Sequence, residues 1–273
     1  MIPAAFDYVR ADSVEAAAAA LAEHGDDAKL LAGGMSLLPL MKLRLAVPRV
    51  LVDVGRLDDL RYVRDADDHV AIGALSRHRD LETDGTLATH CGVVQAVAAE
   101  VGDNQVRHRG TIGGSVAHGD PASDLPAVLL ALDADFVVRG PAGERTVAAT
   151  DFFTGFLETA LAPDELLTEI RVPKTGSNGF SYEKFNRRAQ DWAIVGAIAL
   201  QAGGTTRVGL VNMGATPLRA RAVEAALAGG ASPADAAAAA AEGTEPSSDI
   251  NATPEYREHL ARVLTRRALE TIS

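Results

Sequence analysis

Lys29-Leu30-Leu31-Ala32-Gly33-Gly34-Met35-Ser36 is the stretch from which the rest of the chain can be read. Ala28 to Ala32 is apolar and reads as a buried strand, and two glycines and a small hydroxyl residue follow it. Ser36 to Arg44 then has helical character, with Pro39 tolerated in the first turn. Val50-Leu51-Val52-Asp53-Val54 reads as a second strand, so the unit is strand, glycine turn, helix, strand. A second glycine turn, Gly110-Thr111-Ile112-Gly113-Gly114-Ser115, lies far downstream. Each pair of glycines can bring bare backbone against a phosphate and donate several N–H bonds to it, and each can equally serve as a tight strand-to-helix turn. Two such turns in one domain point to one bound diphosphate. Neither G-x-G-x-x-G nor G-x-x-x-x-G-K-[ST] is present, so the Rossmann and P-loop readings lose their support.

Upstream, Asp12 and Glu15 have capping-box spacing ahead of the alanine-rich helix Val14 to Ala22, and Gly25 suits a left-handed end to that helix. Downstream, Leu60 to Ala74 reads as a hairpin turning at Asp65-Ala66-Asp67-Asp68. His78-Arg79-Asp80-Leu81 has the look of a kinase catalytic loop. Gly85 stands where that loop needs a metal-binding Asn, which rejects the match. Val93 to Val101 reads as a helix leading into the second glycine turn. Ser115 to Pro126 is too rich in Asp, Pro and Gly for a regular element, and Asp124 is placed as N-cap of an apolar helix from Ala127 to Leu132. A hairpin from Asp135 to Val147 turns at Gly140 to Gly143, and Leu166 to Val172 is the last strand of the first domain.

Pro173 to Gly179 has linker composition, giving domains 1–174 and 175–273. In the second, strands are expected at Phe180 to Asn186, Trp192 to Ala202 and Arg207 to Met213. Helices are expected after Thr216-Pro217, Ser232-Pro233 and Thr253-Pro254, each an N-cap followed by proline. Ala236 to Ala241 should be helical. The expected small domain is a three-stranded antiparallel sheet with trailing helices.

The 273 residues, 47% of them hydrophobic, suffice for a large core. The formal charge of −11 argues against a sequence-independent grip on nucleic acid or an anionic membrane. No integral membrane segment or leader is read from the sequence, and residence in the cytoplasm is expected. A single cysteine, Cys91, cannot form an internal disulfide, a four-thiolate zinc site or an iron–sulfur cluster held by this chain alone. It reads as a buried small hydrophobe. The seven histidines lack metal-ligand pairing, so no metal site is expected. Trp192, the only tryptophan, follows the polar run Lys184 to Asp191 and reads either as core or as an exposed aromatic platform.

Taken together, Leu31 to Arg44, Thr111-Ile112-Gly113-Gly114-Ser115 and Asp120-Pro121-Ala122-Ser123-Asp124 closely resemble the FAD-binding medium subunit of molybdenum hydroxylases, the carbon monoxide dehydrogenase and xanthine dehydrogenase group. The resemblance covers essentially the whole chain. It implies an α+β fold: a PCMH-type, vanillyl-alcohol-oxidase-like FAD-binding domain of two α/β subdomains, followed by a C-terminal domain of the carbon monoxide dehydrogenase flavoprotein type. It implies FAD as the cofactor of this chain, held by Leu30, Leu31, Ala32, Gly33, Gly34, Met35 and Ser36 in the first loop and by Thr111, Gly113, Gly114 and Ser115 in the second. Val101, Gly102, Asp124, Leu167, Lys184 and, more weakly, Trp192 would complete the contacts. The first loop often carries histidine where this chain has Met35, a change that bears on the flavin's surroundings and leaves the backbone donors intact. Chemistry would reside in the flavin, with no obligatory side-chain acid or base. Partners implied are a [2Fe–2S] small subunit and a molybdopterin large subunit, as a dimer of heterotrimers, with electrons leaving to NAD⁺, oxygen, quinone or another acceptor. A stand-alone FAD-dependent oxidoreductase and a non-enzymatic scaffold that has lost its cofactor are the alternatives.

Overall fold

The structure is a computed structural model, and it describes residues 2–176 and 179–273. The first glycine loop follows the edge strand of a small parallel sheet. β1 (Asp7–Arg10), α1 (Val14–His24), β2 (Ala28–Leu31), α2 (Leu37–Leu43) and β3 (Val50–Asp53) form this layer, with β3 between β1 and β2. Leu30 lies opposite Val52 and Leu31 opposite Asp53, so the loop leaves the sheet at its carboxyl end. α1 packs Ala17, Ala18, Ala20 and Leu21 inward. Its cap differs from expectation: Ser13, not Asp12, accepts the N–H of Ala16. Gly25 ends it with φ 53 and ψ −133, a positive φ outside the left-handed helical region.

The second layer is a five-stranded antiparallel sheet. Its strands are β4 (Val63–Asp65), β5 (His69–Gly73), β6 (Asp135–Gly140), β7 (Gly143–Ala148) and, after the short pieces below, β10 (Leu166–Pro173), in the order β4-β5-β10-β6-β7. Between β5 and β6 run α3 (His78–Glu82), α4 (Gly85–His90), α5 (Gly92–Ala99), α6 (Asn104–Arg107), α7 (Ile112–His118) and α8 (Asp124–Ala131). α9 (Ala149–Phe152) and the two-stranded ribbon of β8 (Phe153–Gly155) and β9 (Glu158–Thr159) connect β7 to β10.

Two expectations fail in this layer. The stretch expected to be irregular from Ser115 is helical through His118, because Thr111 caps α7 by accepting the N–H of Gly114 and Gly119 closes it in the left-handed region at φ 66. The glycines that looked like a turn therefore form the first turn of a helix. α8 starts at Asp124, with Ser123 at the N-cap position, so Asp124 is inside the helix and all eight of its residues are buried.

The C-terminal part has four strands, one more than expected. They are β11 (Phe180–Phe185), β12 (Val195–Ala202), β13 (Thr205–Val211) and β14 (Leu218–Arg219), antiparallel in chain order. β12 begins at Val195, leaving Trp192 in the preceding loop. Thr216-Pro217 enters β14 rather than a helix. α10 (Arg221–Ala228) begins only after Ala220, where Arg219 is drawn onto Asp133 and Glu224. Ser232 and Thr253 do cap α11 (Pro233–Ala237) and α12 (Pro254–Ile272), each with proline in the first turn. The alanine run continues past Ala237 as a 3₁₀ turn over Ala238–Ala241, not as α-helix. The expected linker falls partly on Ser177 and Asn178, which lie outside the described residues.

The largest core cluster joins the five-stranded layer and α5, α7 and α8 to Ile198, Leu200 and Val211 of the C-terminal sheet. A second cluster lies between that sheet and α10 to α12. Arg257 of α12 is buried there and donates to the carbonyl of Ile194 and to Asp249. No helix among the described residues is long and apolar enough to cross a membrane.

Candidate cofactor cleft

A cleft of ≈ 830 Å³ opens where the parallel layer, the antiparallel layer and the C-terminal sheet meet. Of the residues singled out in the sequence, Leu30, Ala32, Gly33, Gly34, Met35, Ser36, Val101, Gly102, Thr111, Gly113, Gly114, Ser115, Asp124, Leu167, Lys184 and Trp192 all line it. Leu31 does not. The last residue of β2, it lines a smaller hollow of ≈ 310 Å³ that shares Ala32, Gly33 and Thr111 with the cleft and is also lined by Arg56, Arg77 and Arg109.

The first loop leaves a run of backbone donors free. Gly34 has φ 75, which admits glycine far more readily than any L side chain. Gly33 is pressed against the segment leading into the second glycine loop: a β-carbon there would lie 2.1 Å from the carbonyl oxygen of Arg109. Held this way, the successive N–H groups of Gly33, Gly34, Met35, Ser36 and Leu37 have no acceptor among the described residues. Consecutive unpaired amides of this kind form a concave donor set suited to a phosphate.

The second loop works differently from the expectation. The N–H of Ile112 is given to Ser76, that of Gly113 to Ala74, that of Gly114 to the Thr111 hydroxyl and that of Ser115 to the Thr111 carbonyl. Its glycines serve close packing: a β-carbon on Gly113 would sit 2.5 Å from that of Ala74. The cleft therefore draws its free backbone donors from the first loop, while the second contributes hydroxyls and a snug wall.

Opposite the loops, Asp124, Tyr182 and Lys184 form a buried cluster. Lys184 Nζ lies 2.9 Å from Asp124 Oδ2 and 2.9 Å from the carbonyl oxygen of Glu100, and the Tyr182 hydroxyl donates to Asp124 Oδ1. Asp124 is thus not the cap it was expected to be. It is a buried carboxylate joining α8 to β11, and its place in the first turn of α8 also favours negative charge. Burial pushes its carboxyl above the usual carboxylate range, and the Lys184 ammonium with the Tyr182 hydroxyl only partly draws it back. The Tyr182 phenol is held well above its ordinary value by burial and then by Asp124, so it remains a donor.

Val101 and Gly102 are fixed by Arg107, whose guanidinium donates to both carbonyls at 3.2 and 3.3 Å and is itself paired with Glu82 at 3.0 Å. Leu167 is 7% exposed and adds an apolar wall from β10. Trp192 is 66% exposed at the rim, so it is not part of the core. Cys91 is fully buried at the start of α5 and its thiol is pushed up to about 11, the behaviour of a small hydrophobe. Among the described residues no group of three or more His, Cys, Asp or Glu is placed to hold a metal ion.

Sequence reasoning missed His78, which lines the cleft and is 4% exposed. Burial, and secondarily the Arg107 guanidinium, push its pKa down to about 4. The folded chain therefore keeps His78 neutral at pH values where the unfolded chain has already protonated it. Stability linked to this residue is full above about pH 6.5 and falls as pH drops toward 4, by about 3 kcal/mol in all. The expected result is that His78→Phe loses less stability than the natural chain between pH 7 and 4.5, read from urea midpoints. Equal losses would show that His78 titrates alike in both states.

Residues 4–175 match the family model of the FAD binding domain in molybdopterin dehydrogenase. The chain belongs to this family. Residues 180–272 match the CO dehydrogenase flavoprotein C-terminal domain, so the chain is an FAD-binding medium subunit of molybdenum hydroxylase type and an oxidoreductase component. It is 43% identical to the carbon monoxide dehydrogenase medium chain of Afipia carboxidovorans, over 99% of this chain and 97% of the relative. The fold matches that of carbon monoxide dehydrogenase from Hydrogenophaga pseudoflava with a TM-score of 0.96 and 42% identity, covering 100% of this chain and 98% of the other. It matches quinoline 2-oxidoreductase from Pseudomonas putida 86 with a TM-score of 0.92 and 32% identity, covering 100% and 98%. The free amides of the first loop fit the diphosphate of the FAD that this family carries.

Proposed function

We propose that this subunit accepts electrons from a [2Fe–2S] partner subunit and passes them from FAD to NAD⁺, oxygen, quinone or another acceptor. Bound flavin would supply the chemistry that joins one-electron delivery to two-electron discharge. The chain's own residues bind and orient. The amides of Gly33 to Leu37 hold the diphosphate, with the Thr111 and Ser115 hydroxyls beside it. Val101, Gly102, Asp124, Leu167 and Lys184 shape the remaining walls, and Trp192 covers the rim. Leu31 acts from the end of β2 by holding the loop to the sheet. Asp124 and Lys184, paired and buried, present a fixed dipole and move no proton.

The observation that carries this reading is the run of five amides without acceptors facing a cleft, in a chain whose single cysteine is sealed in the core. One cysteine cannot hold an iron–sulfur relay. We therefore assign the relay and the molybdopterin centre to partner subunits, in a dimer of heterotrimers in the cytoplasm, and place the boundary between the FAD-binding and C-terminal domains at 174/175. Expression with the neighbouring subunits, followed by a flavin, iron and molybdenum inventory, tests the assembly. The expected complex contains one FAD for each copy of this chain. A chain that shows no flavin absorption spectrum after reconstitution with FAD overturns the reading, and turnover of substrate by the isolated flavoprotein overturns the dependence on partners.

A further inference from the structure

His78 is the titratable cleft residue that the proposed function leaves unused. It is the first residue of α3, and its backbone N–H donates to the Gly110 carbonyl, which fixes the ring beside the second loop. Nδ1 is sealed in the protein with no hydrogen-bond partner. The other edge of the ring faces Gly110: a β-carbon there would lie 2.8 Å from Cδ2 and 3.1 Å from Nε2. Glycine at 110 thus keeps that edge clear, and both residues line the cleft.

A neutral imidazole carries one N–H and one bare nitrogen. A proton on Nδ1 would be a buried donor with nothing to accept it, which costs on the order of 1–3 kcal/mol. The proton therefore belongs on Nε2, and no described residue accepts it there. Nε2, unlike Nδ1, is not sealed from solvent, so its partner is one that enters the cleft, an ordered water or a ligand. We infer that His78 is a neutral, single-tautomer donor whose Nε2–H is satisfied by an oxygen of the dinucleotide bound in the cleft, making it a cofactor-positioning residue. This rests on the FAD reading.

The test uses the full chain stripped of flavin and titrated with FAD, with affinity read from flavin fluorescence. His78→Phe keeps an aromatic ring and removes the donor, and is expected to weaken FAD binding roughly tenfold. His78→Gln restores a donor near the position of Nε2 and is expected to recover most of that loss. On the natural chain, ¹⁵N resonances of labelled histidine should show the Nε2–H tautomer, with that proton exchanging more slowly once FAD is added. His78→Phe binding FAD as tightly as the natural chain, or a His78 resonance unchanged by FAD, overturns the inference, since a structural water would then be the partner. A natural chain that takes up no FAD at all overturns the underlying reading instead. The ¹⁵N readout needs no variant, so misfolding of a substitution does not decide the matter.

Discussion

Gly33→Ala is expected to weaken FAD binding by roughly 10- to 100-fold. The added β-carbon would need to sit 2.1 Å from the Arg109 carbonyl oxygen and 2.9 Å from the Gly110 α-carbon, both of them backbone atoms that cannot rotate away. Relief requires the first loop to move off the second, at an overpacking cost of about 1–3 kcal/mol. That movement displaces the free amides of Gly33 to Leu37 on the cleft wall, so the loss should appear in cofactor affinity more than in overall stability. Gly85→Ala is the control. No atom lies within 4 Å of a β-carbon at that position, and the backbone there is helical. This variant should bind FAD unchanged and be neutral or slightly more stable, by a few tenths of a kcal/mol to about 1 kcal/mol. Titration of each stripped chain with FAD, alongside urea unfolding, separates the two effects. Equal affinity in Gly33→Ala and the natural chain would show that the contact between the loops is dispensable.

Lys184→Met is expected to destabilise the flavin-free chain by about 3–5 kcal/mol near pH 8, because it leaves Asp124 charged, buried and without its cation. The sign with pH follows from the carboxyl. Burial already raises Asp124, and loss of the ammonium that draws it down raises it further. A carboxyl raised in the folded state favours folding at pH values below its unfolded value, and that contribution is lost as pH rises through the folded value. The variant should therefore recover stability on acidification from pH 8 toward pH 5. Lys184→Met combined with Asp124→Asn should be more stable than Lys184→Met alone at pH 8, since the uncompensated charge is gone. Urea midpoints at pH 5.5 and 8 check both statements, and a Lys184→Met chain with the natural pH profile would refute the coupling.

Together these results would divide the cleft into two kinds of construction. The glycine side depends on absent side chains, where any added atom collides with backbone. The opposite side depends on a charge pair that belongs to two parts of the chain, one on α8 and the other on β11. At the rim, Arg257 and Asn212 act through backbone carbonyls instead. Both donate to the Ile194 carbonyl, and Asn212 also donates to that of Ala193, which anchors the segment carrying Trp192.

Much of this was legible in the sequence. The strand, glycine loop, helix, strand unit could be read directly because the apolar run, the paired glycines and the β-branched run are local signals that tertiary contacts did not override. The mixed helix and sheet class followed once the two glycine motifs were taken as one resemblance, and of the residues that resemblance named all but Leu31 line the cleft. Thr111, Asp124 and Thr216 were harder, since the same short polar residue caps a helix, pairs with a lysine or enters a strand depending on what lies across from it. Thr216-Pro217 has the composition of a helix start, yet the neighbouring Leu218 and Arg219 pair with Leu210 and Gly209, so a strand forms there.

The sequence by itself therefore determined the family, the cofactor class and the absence of thiolates for a cluster, because those depend on which residues are present and in what order. Only the tertiary structure decided how each glycine pair is used, since whether an amide is free depends on where Ser76 and Ala74 place their carbonyls. The same holds for Asp124, whose role is set by Tyr182 and Lys184, 58 and 60 residues away. It holds for His78, whose local motif pointed elsewhere until burial against Gly110 made its ring nitrogens informative. Local order fixes what a backbone can do, and long-range packing fixes which donors and charges are left for a ligand.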